Sequence, residues 1–307
     1  MKHTAIALAL LGLFASAAQA QSSVTLHGRL NLTLESQKFG DASRENRLVN
    51  NASRWGVKGS EDLGGGMRAN FSFEQGFDPT TGAAASGFAR ESFVELAAPW
   101  GAIRGGNWTP GSYYATADFV SMHNHDTGTS SDALYSFAAF PTARKVGYFT
   151  PEIAGFSAEI SHSFESTTEA KANDLSLNYS AGDLQLGAGY TKQADVSQVG
   201  LRALYTMGAL TVGGYLQRES VDGSANGKNR NIARLAAMYT MGANEFHVNV
   251  GHTGRGGSFA EKASQYTLGF NHNLTKRTKL YTYYTAINSP GKANDFNAIA
   301  VGMRHNF

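Results

Sequence analysis

The feature that most limits what this chain can fold into is a period of two in hydropathy, repeated along most of its length. Near the start, Val24, Leu26, Leu30, Leu32 and Leu34 share one face with Gly28, while Thr25, His27, Arg29, Asn31, Thr33 and Glu35 share the other. The split recurs where Leu184, Leu186, Ala188 and Tyr190 oppose Gln185, Gly187, Gly189 and Thr191. It recurs again where Tyr266, Leu268 and Phe270 oppose Gln265, Thr267, Gly269 and Asn271. Successive side chains of a strand point to opposite faces, so the pattern specifies strands with one apolar and one polar surface. A soluble β-sandwich alternates as well. Persistence over segments of about ten residues favours membrane-spanning strands, which need ~9–11 residues when tilted.

The first twenty residues follow a different rule. Lys2 and His3 precede an apolar run from Ala5 to Ala17 and then Ala18-Gln19-Ala20, the layout of an export signal with its cleavage site. The expected division is a signal peptide at 1–20 and a single barrel domain at 21–307, because no Pro-rich, Ser-rich or charged linker interrupts the remainder. Beyond residue 20 no segment offers the ~18 apolar residues of a spanning helix. A membrane protein with this sequence must then be a closed sheet, since in lipid every backbone N–H and C=O needs a partner. There is no cysteine, which removes disulfide and thiolate chemistry although the signal leads through an oxidising compartment. Lys and Arg number 26 against 24 Asp and Glu, with Lys2 the one charged residue ahead of Gln21. That near-neutral balance gives no argument for nucleic acid as a partner.

Alternation predicts strands at 23–35, 53–61, 67–75, 91–98, 101–107, 143–150, 156–164, 173–181, 183–192, 198–207, 209–219, 230–241, 243–253, 263–273, 278–288 and 297–307, sixteen in all. Tight connections, such as Asp62 to Gly66, Pro99-Trp100, Gly182, Gly208 and Gly242, alternate with longer ones. Short turns at one end and long loops at the other are the pattern of an outer-membrane barrel, and an even strand count puts both termini on the periplasmic side. Tyr205-Thr206-Met207-Gly208-Ala209 returns as Tyr239-Thr240-Met241-Gly242-Ala243, the same turn chemistry used twice. Phe307 ends an alternating run from Asn297 and is the expected membrane-insertion terminus. With Tyr190, Tyr205, Tyr239 and Tyr266 it belongs to the aromatic girdles expected at the lipid boundary.

Three segments carry a resemblance to a known family: Ser23-Val24-Thr25-Leu26-His27-Gly28, the run from Ser53 through Arg54-Trp55-Gly56-Val57-Lys58-Gly59 to Gly66, and the ending Gly302-Met303-Arg304-His305-Asn306-Phe307. Together they resemble the trimeric general porins of the Gram-negative outer membrane, in the branch typical of β-proteobacteria. The resemblance covers everything after the signal. It implies an all-β, sixteen-stranded antiparallel transmembrane β-barrel with short periplasmic turns, long extracellular loops and an infolded third loop that narrows a water-filled pore. It also implies a homotrimer.

The third long connection, from about Trp108 to Thr142, is the longest and has the length an infolded loop requires. It carries Asp118, Asp126 and Asp132, with His123, His125, Tyr113 and Tyr114. Alternation places Arg29, Arg54, Lys58, Arg68, Arg104 and Lys145 on the water side of the facing strands, with Arg54, Arg68 and Arg104 expected at the constriction. A basic wall against an acidic loop sets a transverse field across the gap. Each cation also reads as half of a lumenal ion pair with Glu35, Glu74, Glu91, Glu95 or Glu159. Where the family usually has two further arginines, this chain has Asn107 and Gly147, and Lys145 is placed to replace part of that charge. The family's Asp-Pro-Phe survives as Asp118-Phe119.

His123-x-His125 can place two imidazoles on one metal ion or titrate near pH 6–7, but it lacks a third ligand, and no metal site is expected. An outer-membrane hydrolase would need a Ser-His or Asp-His group at the rim, and no such set is apparent. A substrate-specific channel for an organic anion or oligosaccharide would need an aromatic track longer than Tyr113, Tyr114 and Phe93 supply. The reading is a general diffusion porin, mildly anion-selective, in the bacterial outer membrane, with no enzymatic step and no cofactor. Its expected partners are copies of itself, outer-membrane lipid and lipopolysaccharide, and small hydrophilic solutes and ions.

Overall fold

Strands with one apolar and one polar face leave two surfaces that cannot share a solvent, and the chain resolves this by closing the sheet into a ring. The computed structural model describes residues 22–123, 133–135, 138–292 and 295–307. Sixteen antiparallel strands form the ring. In the first part they are β1 (Ser23–Phe39), β2 (Glu45–Asn50 resuming as Arg54–Gly64), β3 (Met67–Asp78), β4 (Glu91–Ala98), β5 (Gly101–Asn107) and β6 (Lys145–Phe149). Then follow β7 (Phe156–Ser163), β8 (Ala172–Ala181), β9 (Leu184–Gln193), β10 (Val196–Met207) and β11 (Leu210–Val221). The ring finishes with β12 (Asn229–Met241), β13 (Asn244–Thr253), β14 (Ala263–Asn273), β15 (Thr278–Asn288) and β16 (Phe296–Asn306).

Closure is made by β1 against β16, from Arg29 opposite Asn306 to Phe39 opposite Phe296. Gly28 and Phe307 extend the seam by exchanging both N–H···O bonds at 3.1 Å. The seam removes the sheet's edges, so the strand backbone is paired all round. Val24, Leu34, Leu235 and Val301 stand outward and exposed, while Asn31, Thr33 and Glu35 on the alternate positions of β1 are buried inside. The apolar surface therefore belongs to lipid and the polar one to the lumen.

The expected strands are all present, with differences at their ends. β1 runs on to Phe39 and β3 to Asp78, and the second strand starts at Glu45, not at 53. It is interrupted at 51–53, where Ala52 takes a φ of 56°. Asn51 N–H donates to Asn31 O at 2.9 Å, and Asn31 N–H donates to Ser53 Oγ at 3.0 Å. One backbone bond and one side-chain bond thus carry the pairing across the interruption. The connection after β9, expected as one of the longer loops, is only Ala194-Asp195. The signal segment at 1–20 lies outside the described residues.

Candidate functional site

The chain leaving β5 turns into the lumen as a short helix, α1 (Gly111–Tyr113), which passes directly into a wider π-helical turn at Tyr114–Asp118. It lies in a trough of inward-facing glycines. A Cβ on Gly187 would collide with Ala115 O, on Gly189 with Ser112 and on Gly200 with Thr116, so small residues on β9 and β10 make room for the loop. The loop brings an apolar face of its own. Tyr113, Ala117, Val120 and Tyr135 pack against Leu204, Tyr215, Ile232 and Ala236 of the wall, with Met122 and Phe140 at the margin.

Polar contacts fix the loop around this cluster. Trp108 Nε1 donates to Glu159 Oε1 on β7 at 2.8 Å, and Ser112 N–H donates to Asp174 Oδ1 on β8 at 3.0 Å. Three arginines of β10 and β12, on the wall the loop packs against, hold it there. Arg202 Nε donates to Ala115 O at 2.7 Å, Arg230 Nη2 to Leu134 O at 2.6 Å, and Arg234 Nη1 to Ser121 Oγ at 3.1 Å. The first two satisfy loop carbonyls and the third a loop hydroxyl that burial would otherwise leave short of partners. The sequence reading passed over these arginines. Their parity already placed them inward, but their role as tethers depends on where the loop lands.

The open side of the lumen is bounded by β1 to β5 and by β15 and β16. Arg29 stands directly across from Arg54. Arg29 and Arg304 both donate to Asn306 Oδ1, at 3.1 and 3.4 Å, and Lys279 lies opposite Arg304 on the neighbouring strand. Arg54 and Arg90 share Glu74, at 3.4 and 2.8 Å. Arg104 pairs with Glu95 at 2.6 Å and stacks between Phe93 and Phe149 at 4.0 and 4.3 Å. Below them a recess of about 340 Å³ is lined by Lys58, Asn70, Ser72, Glu91, Glu95 and Arg104. Lys279 and Arg304 were not among the expected pore cations because β15 and β16 join the basic wall only through ring closure, and Arg90 was not because it lies in the connection before β4.

Across the gap, the loop turns Tyr114, Asp118 and Phe119 toward the enclosed bore. Burial pushes the Tyr114 hydroxyl pKa up; a hydrogen bond with Thr109 opposes this, Glu91 and Asp118 add to it, and Arg54 opposes it. The loop's acidic and phenolic face and the arginine wall are therefore in one electrostatic field.

Two expected wall residues sit elsewhere. Arg68 is exposed opposite Asp62, beside the Gly64-to-Met67 turn, so it belongs to the periplasmic mouth and not to the narrow section. Lys145 faces inward but is only 3% exposed, because Trp108 roofs it. Its Nζ donates to Trp108 O at 3.3 Å and lies 4.4 Å from the indole centroid. Gly147 explains the missing sixth-strand arginine, since a side chain there would strike the Trp108 ring. Asp126, Asp132 and His125 lie outside the described residues.

His123 is not a titrating group of the open channel. It is fully buried against the far wall in a notch opposite Gly269, with His247, Tyr281 and Tyr283 at ring distances of 5.0, 6.1 and 5.7 Å. Burial first, then His247 and Lys279, pull its pKa down to about 3, against Glu245 and the Thr282 backbone. The expectation that it titrates near pH 6–7 is corrected by this docking. Asn271 Nδ2 donates to His123 O at 3.3 Å and holds the backbone there.

A closed sixteen-stranded ring, lipid-facing outside and lined by charge inside, with a loop folded across its bore, defines a β-barrel channel of the outer membrane. The Gram-negative porin family matches residues 6–292. Outer membrane porin protein 32 of Delftia acidovorans is 30% identical, over 92% of this chain and 88% of that protein. The major outer membrane protein P.IB of Neisseria meningitidis serogroup A is 26% identical over the full length of both. The anion-selective porin from Comamonas acidovorans shares the fold, with a TM-score of 0.81 and 23% identity, covering 94% of this chain and 100% of that one. OmpT of Vibrio cholerae, in a trimer form, does so with a TM-score of 0.73 and 16% identity over 93% and 99%. The chain belongs to the Gram-negative porin family, and it is a diffusion channel spanning the outer membrane many times.

Proposed function

We propose that this porin passes small hydrophilic solutes down their own gradients with a mild preference for anions. It acts as a homotrimer after loss of a signal peptide at 1–20, without a cofactor, a metal or a catalytic step. The observation that carries the selectivity is the basic stripe Lys279, Arg304, Arg29 and Arg54, on four adjacent strands, facing Tyr114 and Asp118 across the bore. One carboxylate, Glu74, serves both Arg54 and Arg90, and Lys279 pairs with Glu245 at 3.8 Å, so that wall carries more cations than the two carboxylates these pairs supply. Binding within the bore must stay weak for flux to continue, which keeps the preference modest. The trimeric form of OmpT and the named selectivity of the Comamonas porin support this reading by likeness of fold.

The test is the zero-current potential of the purified protein in a planar bilayer under a salt gradient, beside Arg54→Ala and Arg104→Ala. Conductance steps closing in threes, with an anion preference reduced in both variants, are expected. Cation preference untouched by either substitution would remove the charge assignment, and silence in the bilayer would remove the pore.

A further inference from the structure

The lumenal recess beside Arg104 contains one carboxylate and one ammonium group that the wall leaves open. Its other carboxylate, Glu95, accepts from Arg104 at 2.6 Å and from Asn70 Nδ2 at 3.0 Å. Glu91 stands directly opposite Glu74 on the neighbouring strand, a like-charge pair that destabilises the sheet unless cations answer it. Arg54 and Arg90 answer Glu74. Glu91 accepts a hydrogen bond from Ser72 Oγ at 3.0 Å and pairs with no cation among the described residues. Lys58 is its counterpart on β2. It is exposed to the lumen, lines the same recess, and makes no hydrogen bond or ion pair among the described residues.

The strand register keeps these two groups from neutralising each other. Lys58 lies opposite Ser72, Ser72 lies opposite Phe93, and Glu91 is two residues further along β4. Two strand spacings across and two residues along set the backbones of Lys58 and Glu91 about 12 Å apart. Ser72, only 4% exposed, occupies the wall between them and holds the Glu91 carboxylate by its hydroxyl. The recess measures about 340 Å³, inside the ~300–1,000 Å³ range of small-molecule sites. On its periplasmic side Ser60 lies opposite Asn70, whose Nδ2 is used on Glu95, which leaves a hydroxyl and an amide oxygen facing the space.

A solute satisfies both groups only if it carries both charges itself. A simple anion at Lys58 leaves Glu91 unanswered, and a simple cation at Glu91 does the same to Lys58. A free α-amino acid offers an ammonium for the carboxylate and a carboxylate for the ammonium, each in a charge-assisted hydrogen bond. We propose that the recess is a transient station for zwitterionic α-amino acids with polar side chains, held between Glu91 and Lys58 while the side chain meets Ser60 and Asn70. This deepens the reading of the chain as a diffusion channel and rests on it. Water and salt in the lumen screen both contacts, so the hold is weak and flux continues.

The experiment reads open-channel current noise and block in a planar bilayer as L-glutamine is added, with two probes that each lack one charge. N-acetyl-L-glutamine has no ammonium, and L-glutaminamide has no carboxylate. The parent protein should show saturable block by L-glutamine at lower concentration than by either probe. Glu91→Gln should raise the half-blocking concentration of L-glutamine and L-glutaminamide on the order of tenfold and leave N-acetyl-L-glutamine alone. Lys58→Gln should do the same to L-glutamine and N-acetyl-L-glutamine and leave L-glutaminamide alone. Each variant's own conductance before solute is added certifies that it has folded and serves as its reference. A conducting parent whose current ignores L-glutamine overturns the proposal and leaves the pore standing. Either substitution weakening all three solutes alike also overturns it, because the bore as a whole would then have changed. A silent parent overturns the channel reading and this inference with it.

Discussion

His123 makes the docking of the constriction loop depend on pH. In the docked loop its imidazole is held neutral, with the pKa down to about 3, by burial and by the neighbouring His247 and Lys279. Neither ring nitrogen makes a well-formed hydrogen bond among the described residues. Released into water, the ring returns to its ordinary value near 6.5. The undocked loop therefore binds more protons than the docked one between these values. Docking is at full strength above about pH 6.5 and weakens steadily as pH falls toward about 3. One pKa unit corresponds to about 1.4 kcal/mol, so at pH 5 docking is weaker by about 2 kcal/mol than at neutral pH, roughly a 30-fold change in its equilibrium. The measurement is single-channel current at fixed salt from pH 7.5 to 4.5, for the protein and for His123→Phe, which keeps the ring shape without the titration. Open-channel noise and brief substates should grow below pH 6 in the parent and stay flat in the variant. Equal pH responses in both would refute the argument, because the acid-sensitive element would then lie elsewhere.

Gly187→Val should force the Ala115 carbonyl off β9 and shift the loop, raising single-channel conductance and lowering anion preference; unchanged conductance would show that the trough does not position the loop. Arg230→Met strands the fully buried Glu219 and releases the Leu134 carbonyl. A loss of about 3–5 kcal/mol in barrel stability is expected, read as a lower urea midpoint by gel mobility. Trp108→Ala should uncover Lys145 and add a cation to the lumen, so the zero-current potential should move toward stronger anion preference.

The barrel was legible because lipid and water enforce alternation directly on the sequence. Val24 to Glu35 and Tyr266 to Asn271 carry that constraint residue by residue, and their faces fall as expected. What alternation does not encode is tertiary contact. The break at Asn51 to Ser53 is closed locally by Ser53 N–H donating to Asn50 Oδ1, but its other bonds are to Asn31 and Thr33 of β1, about twenty residues earlier. Lys145 has lumenal parity, yet whether it meets water depends on Trp108, thirty-seven residues earlier, as the Nζ to Trp108 O bond records. The role of Arg202 likewise depends on Ala115, since parity states only which side of the wall a residue occupies. The shortness of the Ala194-Asp195 turn was hidden because Gln193 and Val196 read equally well as loop or strand.

The arginines divide by what they face, and the division decides how selectivity can work. On β10 and β12 the guanidinium groups of Arg202, Arg230 and Arg234 are nearly buried and spend their donors on loop atoms and wall partners, so the bore feels little of their charge. On β1, β2, β5 and β16 the same residue type is partly exposed and faces solutes. A total of 26 Lys and Arg against 24 Asp and Glu would suggest a bore without preference. The field in the narrow section depends instead on the few cations that water reaches, set against Asp118 and the glutamates of the wall. The two groups are also coupled. Weakening a tether moves Asp118 relative to Arg54 without changing any charge, so a substitution at Arg234 should alter selectivity although its side chain never meets a permeating ion.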